Sequence, residues 1–249
     1  MRRLLNSLRA AWMFLTILPW PSRSRRIDAR DIAASRWAFP VVGALIGLLL
    51  VALDQVLQVV RAGPFTVAFV LTLGWVAISG GLHLDGLADS ADGLCHGRDS
   101  AARLAIMHDP HVGAFGVAAV ALAIVGKFAL LSELHDPMRS RAVFGAAVLA
   151  RTAVLVVAGR SRYPRPDGAA RWLLEATTPR DANLAAIILF VVAGSVFGSR
   201  GLVLGVVCVG CALGVARAST RRLGGVTGDV LGALIELVEL TTLGLAGLG

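Results

Sequence analysis

Seven long apolar runs constrain this chain more than any other feature of its sequence. Each run is long enough, or nearly so, to cross the hydrocarbon core of a bilayer, which takes about 20 helical residues. Hydrophobic residues make up 56% of the chain, whereas soluble domains usually hold about 45–50%. We therefore expect an all-α, polytopic integral membrane helix bundle with about seven transmembrane helices. The predicted spans are 39–60, 65–83, 112–134, 142–159, 183–199, 201–217 and 230–248.

The fifth and sixth runs are short and lie close together in the sequence. Arg200 and Gly201 lie at their junction, and so short a connection predicts a tight helical hairpin. All seven runs are rich in Gly and Ala, and small side chains let helices pack closely in lipid. The sequence therefore predicts a compactly packed set of spans and no separate soluble domain.

The arginines of the loops indicate how the chain is oriented in the membrane. If the N-terminus faces the cytoplasm, 18 arginines lie in cytoplasmic loops and 4 lie in outer loops. This asymmetry follows the positive-inside rule and predicts an N-in, C-out topology. We expect one membrane-embedded domain, 1–249, that begins with a basic cytoplasmic segment, 1–38. The basic loops are expected to contact membrane lipid, and no aromatic-interleaved basic patch indicates binding to nucleic acid.

The most informative motif follows the second run and carries aspartates at positions i, i+4 and i+7. They are Asp85, Asp89 and Asp92. On a helix this spacing places the three carboxylates on one face, where like charges in an apolar setting repel each other. Mg²⁺ would relieve the repulsion, because it is commonly held by few carboxylates together with substrate phosphates. The plainer alternative is a solvated helix end. His83 lies beside the triplet as a candidate catalytic or hydrogen-bonding residue rather than a ligand.

A glycine-rich turn before the last run forms a second candidate site. Its glycines would let the backbone approach a ligand closely, and the N-terminus of the following helix attracts anions. Arg221 and Arg222 precede the turn and could neutralise a diphosphate. Asp229 either caps the following helix or takes part in catalysis. The glycines of the turn are Gly224, Gly225 and Gly228.

The third candidate site is the basic segment 160–168, a predicted cytoplasmic turn that two prolines make rigid. Arg162 and Arg165 are candidates for binding substrate phosphate. The positive-inside rule alone would also explain both arginines, as anchors of the loop at the membrane surface. Substrate binding would then be an additional role.

Two acids lie inside the last apolar run, where an unpaired carboxylate costs about 2.5–3.5 kcal/mol or more. They are Glu236 and Glu239. Arg151 and Lys127 lie within other runs and are the candidate partners. Both structural pairing and catalysis are compatible with this arrangement.

Five motifs spread along nearly the whole chain resemble the cobalamin synthase family, the adenosylcobinamide-GDP ribazoletransferases. The acidic motif 83–93 and the closing turn 224–229 are specific, whereas the motif 14–19 alone would be weak. The other two motifs are 39–43 and 106–116.

The resemblance implies a Mg²⁺-dependent phosphoryl transfer in cobalamin biosynthesis. The ribose hydroxyl of α-ribazole, or of its 5′-phosphate, attacks the diphosphate of adenosylcobinamide-GDP, and GMP leaves. Asp85 and Asp89 would hold Mg²⁺. Asp92 is the candidate general base or a third ligand, and His83 and Asp229 complete the candidate catalytic residues. We expect the protein to lie in the cytoplasmic membrane of a bacterium or archaeon, with its active site facing the cytoplasm.

Two other functions fit parts of the sequence. A phospholipid synthase resembling the CDP-alcohol phosphotransferases would also use a helical aspartate cluster. In that family an Ala-Arg dipeptide is expected after the first Asp-Gly, but no Ala-Arg follows Asp85-Gly86 in this chain. The third acid of that family is expected at i+8, whereas it lies at i+7 here. An ion-coupled transporter could use the acids of the last run, but the acids and arginines concentrate on one face of the membrane. A homo-oligomer is compatible with all three functions.

Overall fold

The computed structural model describes residues 2–20 and 29–248, and these residues form α-helices without any β-strand. Part of the predicted basic segment, 21–28, lies outside the described residues. The helices are α1 (Arg2–Leu15), α2 (Ala29–Ala34), α3 (Phe39–Val59), α4 (Pro64–Ser79), α5 (Leu82–Cys95), α6 (Ser100–Ile106), α7 (Ala114–Glu133), α8 (Met138–Ala158), α9 (Ala169–Ala176), α10 (Pro179–Phe197), α11 (Gly201–Leu223) and α12 (Gly228–Ala246).

Four segments of the described chain are long and apolar enough to cross a membrane. They are Ser35–Val59, Ala114–Glu133, Met138–Ala158 and Pro179–Leu223. A fifth span results if α4 and α5, which are bent against each other, are counted together. The all-α prediction with several membrane-length helices is confirmed, whereas the count of seven and the N-in orientation stay predictions.

Two of the predicted spans differ from expectation for identifiable reasons. The run 65–83 is interrupted at Gly80 and Gly81, whose φ angles of 62° and 77° end α4. The chain then turns by 84° into α5. Glycine adopts such positive φ angles at little steric cost. The last run does form α12, but its three acidic residues keep this helix outside the four apolar segments.

The longest apolar segment, Pro179–Leu223, folds back on itself between α10 and α11. Gly201 lies against Ala193 and Gly205 lies against Phe190, which is the register of an antiparallel pair. An added Cβ at Gly205 would lie 2.6 Å from the Phe190 ring, so the small residue sets the close packing. The predicted helical hairpin is confirmed.

α8 is the central helix of the bundle. Its residues are buried along almost the whole length, and α3, α10 and α12 pack against it. Because α8 has protein neighbours around it, the basic residue in its middle, Arg151, has to find its partner inside the bundle.

Four buried charged residues pair with one another between α7, α8 and α12. Lys127 Nζ lies 2.6 Å from Glu239 Oε2 and 2.8 Å from Glu236 Oε2. Arg151 pairs with the other carboxylate oxygen of Glu239. The formal charges cancel, which offsets part of the cost of removing them from water. The prediction that the acids of the last run pair with Arg151 or Lys127 is confirmed, and their contacts favour structural pairing.

α1 packs against α3 and brings its C-terminal end to the bend between α4 and α5. Leu15 is buried, and the backbone N–H of Ile17 donates to the carbonyl oxygen of Ile78 over 3.0 Å. The chain from Met13 to Ile17 therefore lies beside the start of α5, where the acidic motif begins.

Candidate active site

A close crossing with α12 holds α5, the helix that carries the acidic motif. A Cβ added at Gly86 would lie 2.7 Å from the carbonyl oxygen of Asp229, so the two backbones meet at this point. Any larger side chain at Gly86 would force the helices apart. The crossing places the first turn of α12 beside the aspartates of α5, which sequence spacing alone did not reveal.

Asp85, Asp89 and Asp229 form an acidic face at the crossing of α5 and α12. Asp85 is exposed, and Asp89 and Asp229 are half-buried. Partial burial, followed by the negative charges of Asp85 and Asp229, raises the pKa of Asp89 from 3.8 to about 6. α5 turns away from α4 and lies outside the four apolar segments. A cation bound here would lower the repulsion that raises this pKa.

Asp92 differs from the other two aspartates of the triplet in burial and in partners. Its side chain is buried, and its two carboxylate oxygens accept hydrogen bonds from backbone N–H groups at the start of α7. The donors are Gly113, at 2.8 Å, and Gly116, at 3.0 Å. Both oxygens are therefore engaged in capping α7, where the positive end of the helix dipole also favours a carboxylate.

An inner cavity of about 400 Å³ opens beside the acidic face, between α1, α5, α12 and the loop 160–168. Arg165 lines this cavity, and its Nη1 lies 2.9 Å from Asp229 Oδ2. The Arg165 side chain is only 10% exposed, yet its Nε and Nη2 have no hydrogen-bond partner within the described residues. Buried unpaired donors on a guanidinium are suited to a phosphate oxygen. Tyr163 also lines the cavity.

His83 is buried on the wall of the inner cavity, one turn before Gly86. Neither ring nitrogen has a hydrogen-bond partner among the described residues. His83 therefore lies on the cavity wall without the hydrogen bond predicted for it within the described residues, and its catalytic role stays a prediction.

The other predicted substrate-binding residues lie apart from the inner cavity, with the exception of Gly228, which lines it. Arg222 donates to the carbonyl oxygen of Leu94 at the end of α5. Arg221 lines a separate surface groove. Arg162 is exposed, and its carbonyl oxygen accepts a hydrogen bond of 2.8 Å from the N–H of Val226.

The two remaining glycines of the closing turn shape the backbone. Gly224, with a φ of 81°, ends α11. Gly225 packs against the backbone of Arg162. The closing turn and the loop 160–168 are thereby joined, and this contact sets the position from which Arg165 enters the cavity.

A metal ion at the acidic face would need ligands from outside the chain. Within the described residues, no three His, Cys, Asp or Glu side chains lie close enough together to surround an ion. Asp85 and Asp229 line the inner cavity, and Asp89 lies one turn after Asp85 on α5. This set fits Mg²⁺, which keeps several waters and takes substrate phosphates as ligands beside one or two carboxylates.

Some features of the site were not predicted from the sequence. Met13 and Phe14, at the end of α1, line the inner cavity. Phe14 belongs to the first family-like motif, which was the one available indication. The pairing of Arg165 with Asp229 joins two segments more than 60 residues apart, and two separate predictions named its members without connecting them.

The described residues form helices without a strand, several of these helices are long and apolar enough to cross a membrane, and charged side chains line a cavity between them, an arrangement that fits an integral membrane enzyme. Comparison with known proteins makes the assignment specific. The sequence model of the cobalamin-5-phosphate synthase family matches residues 7–247, and the chain belongs to this family.

Three similar proteins carry the same name. A protein of Chlorobaculum tepidum is 38% identical over 98% of this chain and 96% of its own length, and is named adenosylcobinamide-GDP ribazoletransferase. Proteins of the same name from Stutzerimonas stutzeri (38% identical, 94% of each chain) and Alkalilimnicola ehrlichii (40% identical, 96% of this chain and 93% of the relative) are similar to it as well. No solved structure matches the chain.

Proposed function

We propose that this protein joins adenosylcobinamide-GDP to α-ribazole, or to its 5′-phosphate, and releases GMP. The names of the relatives supply the substrates of the proposal. The observation that carries it is the inner cavity, where the unpaired donors of Arg165 lie beside the acidic face of Asp85, Asp89 and Asp229. Phosphoryl transfer needs this combination of positioning and charge neutralisation more than it needs a covalent intermediate.

The bonds and charges of the proposed reaction balance without a further reactant. The ribose hydroxyl oxygen forms a bond to the phosphorus that carries cobinamide, while the bond from this phosphorus to the GMP oxygen breaks. The hydroxyl proton passes to a carboxylate of the acidic face. Arg165, whose Nε and Nη2 have no hydrogen-bond partner within the described residues, binds the negative charge that develops on the departing GMP.

Magnesium is part of the proposal. Asp85 and Asp89 would hold Mg²⁺ together with the phosphates of the donor, and the ion would supply charge neutralisation at the diphosphate. Asp92 was predicted to be a ligand or the general base. Because both of its oxygens cap α7, we propose that Asp92 instead positions α5 against α7.

We further propose seven spans with the N-terminus in the cytoplasm and the inner cavity at the cytoplasmic face of a bacterial or archaeal membrane. The excess of arginines in the loops of one side supports this orientation. Reporter fusions near positions 95, 170 and 224 should report the cytoplasm, and fusions near 62 and 137 should report the outer side. A cytoplasmic signal from both outer positions would refute the topology.

The activity can be tested with membranes that contain the protein. Release of GMP should require both adenosylcobinamide-GDP and α-ribazole and should be absent from membranes without the protein. Incubation with a CDP-activated lipid and an alcohol tests the phospholipid synthase alternative, which the names of the relatives do not favour. Release of CMP without any release of GMP would overturn the proposed function.

A further inference from the structure

A second opening, which we call the side groove, lies next to the inner cavity along α5 and shares Leu82 and Asp85 with it. Its volume is about 950 Å³, and it runs between the end of α1, the bend from α4 to α5, and the first turns of α7. The apolar side chains that line it include those of Ile17, Leu84, Val112, Val117 and Val120.

The side groove is suited to an apolar occupant. Two hydroxyl groups line it, and each donates to a carbonyl oxygen of its own helix segment. Thr16 Oγ1 donates to Trp12 over 2.9 Å, and Ser79 Oγ donates to Val76 over 3.2 Å. The charged residue that lines the groove is Asp85.

Asp85 joins the side groove to the inner cavity. Asp85, Leu82 and Met13 line both openings, so these residues lie between them. In phosphoryl transfer the attacking and leaving oxygens lie roughly in line on opposite sides of the phosphorus. A phosphorus held near Asp85 would therefore have one compartment for the leaving group and another for the attacking group.

We propose that the side groove binds the dimethylbenzimidazole base of α-ribazole and so presents the ribose hydroxyl to the site at Asp85. This inference rests on the proposed function. The base is flat, aromatic and carries two methyl groups, which match the apolar lining, and the volume is within the range of about 300–1,000 Å³ for small-molecule sites. GMP, which is charged and polar, fits the inner cavity with Arg165 in the same arrangement.

Filling the groove tests the proposal. Val117, on α7, lines the groove, and the substitution Val117→Trp would occupy part of its volume. Val125→Trp is the matched control, because Val125 lies two turns further along α7 with a similar exposure of 61%, against 59% for Val117, and does not line the groove. Ala121→Leu is a smaller change in the groove, for use if Val117→Trp does not fold.

We expect Val117→Trp to raise the KM for α-ribazole about tenfold with the KM for adenosylcobinamide-GDP unchanged, whereas Val125→Trp should change neither. Binding of α-ribazole to the protein in lipid nanodiscs, measured by calorimetry without the donor, should weaken by a similar factor in Val117→Trp. A rise in the KM for the donor alone would overturn the proposal, and so would no change in either KM, as expected for a groove filled by lipid chains. If wild-type protein releases no GMP, the proposed function fails, and the binding measurement still decides the occupant of the groove.

Discussion

Arg165 and Asp229 form an ion pair that connects the loop 160–168 to the first turn of α12, with 2.9 Å between Nη1 and Oδ2. Arg165 lines the inner cavity, and its buried Nε and Nη2 have no hydrogen-bond partner within the described residues. Asp229 in turn lies against Gly86 of α5 through its backbone. Arg165 is therefore held in a fixed position relative to Asp85 and Asp89 before any substrate binds, which lowers the cost of ordering the site.

Replacement of Arg165 should lower the efficiency with which the protein uses the donor substrate. Arg165→Gln removes the charge that would bind the phosphates, so we expect kcat/KM for adenosylcobinamide-GDP to fall by roughly 10²–10³. Arg162→Gln is the control, because Arg162 is exposed and is tied to the fold by its backbone carbonyl. Steady-state kinetics on membranes with equal amounts of inserted protein would measure both. An equal fall in kcat/KM in the two variants would show that the total charge of the loop, and not the position of Arg165, determines the activity.

Arg221 and Arg222 were predicted to bind substrate phosphates, and this stays open to test. Arg222 contacts the end of α5, and Arg221 lines a separate groove. Because neither lines the inner cavity, replacing both with Gln should raise the KM for the donor less than Arg165→Gln does. A larger effect in the double variant would place the phosphates at that surface.

Asp92→Asn should destabilise the fold more than it alters the dependence on magnesium. The amide keeps one acceptor oxygen but turns an NH₂ group toward one of the two N–H groups of α7, at a cost of about 1–2 kcal/mol. Asp99→Asn is the control, since the Asp99 carboxylate caps the short helix α6 by accepting one exposed hydrogen bond of 2.9 Å from the N–H of Ala102. Thermal unfolding in detergent measures the stability. A normal melting temperature together with a loss of turnover would restore Asp92 as a general base or a ligand.

Gly86→Ala should misalign the acidic face without unfolding the bundle. The added methyl group would lie within 3.0 Å of the Asp229 backbone, so α5 and α12 have to separate. We expect turnover to fall by about tenfold or more at a nearly unchanged expression level. Gly214→Ala is matched to it, because a Cβ at Gly214 of α11 meets no atom of the described residues within 4 Å. Full activity in Gly86→Ala would show that the crossing does not set the geometry of the site.

The sequence predicted the parts of this fold that depend on local pattern. The hairpin at Arg200 and the helical register of Asp85, Asp89 and Asp92 follow from apolar length and from spacing, and both are present. The 84° bend at Gly80 and Gly81 was missed, because an apolar run shows its length but not the φ angles at its glycines.

The long-range features of the site could not be read from one sequence. The aspartate triplet divides into an acidic face and a cap only because α7 begins beside Asp92. Asp229 joins the acidic face because Gly86 permits α12 to approach. Both relationships depend on how helices distant in the sequence pack, which spacing within one motif does not encode.

The magnesium dependence of Asp85→Asn and Asp89→Asn shows whether these two carboxylates hold the metal ion. Asn keeps the shape of Asp and removes its charge, so a folded variant reports on the charge at the acidic face. GMP release measured against Mg²⁺ concentration should fall by roughly 10²–10³ in each variant and should need more Mg²⁺ to reach half its maximum. Near-normal GMP release by both variants at low Mg²⁺ would show that the acidic face is only a solvated helix surface.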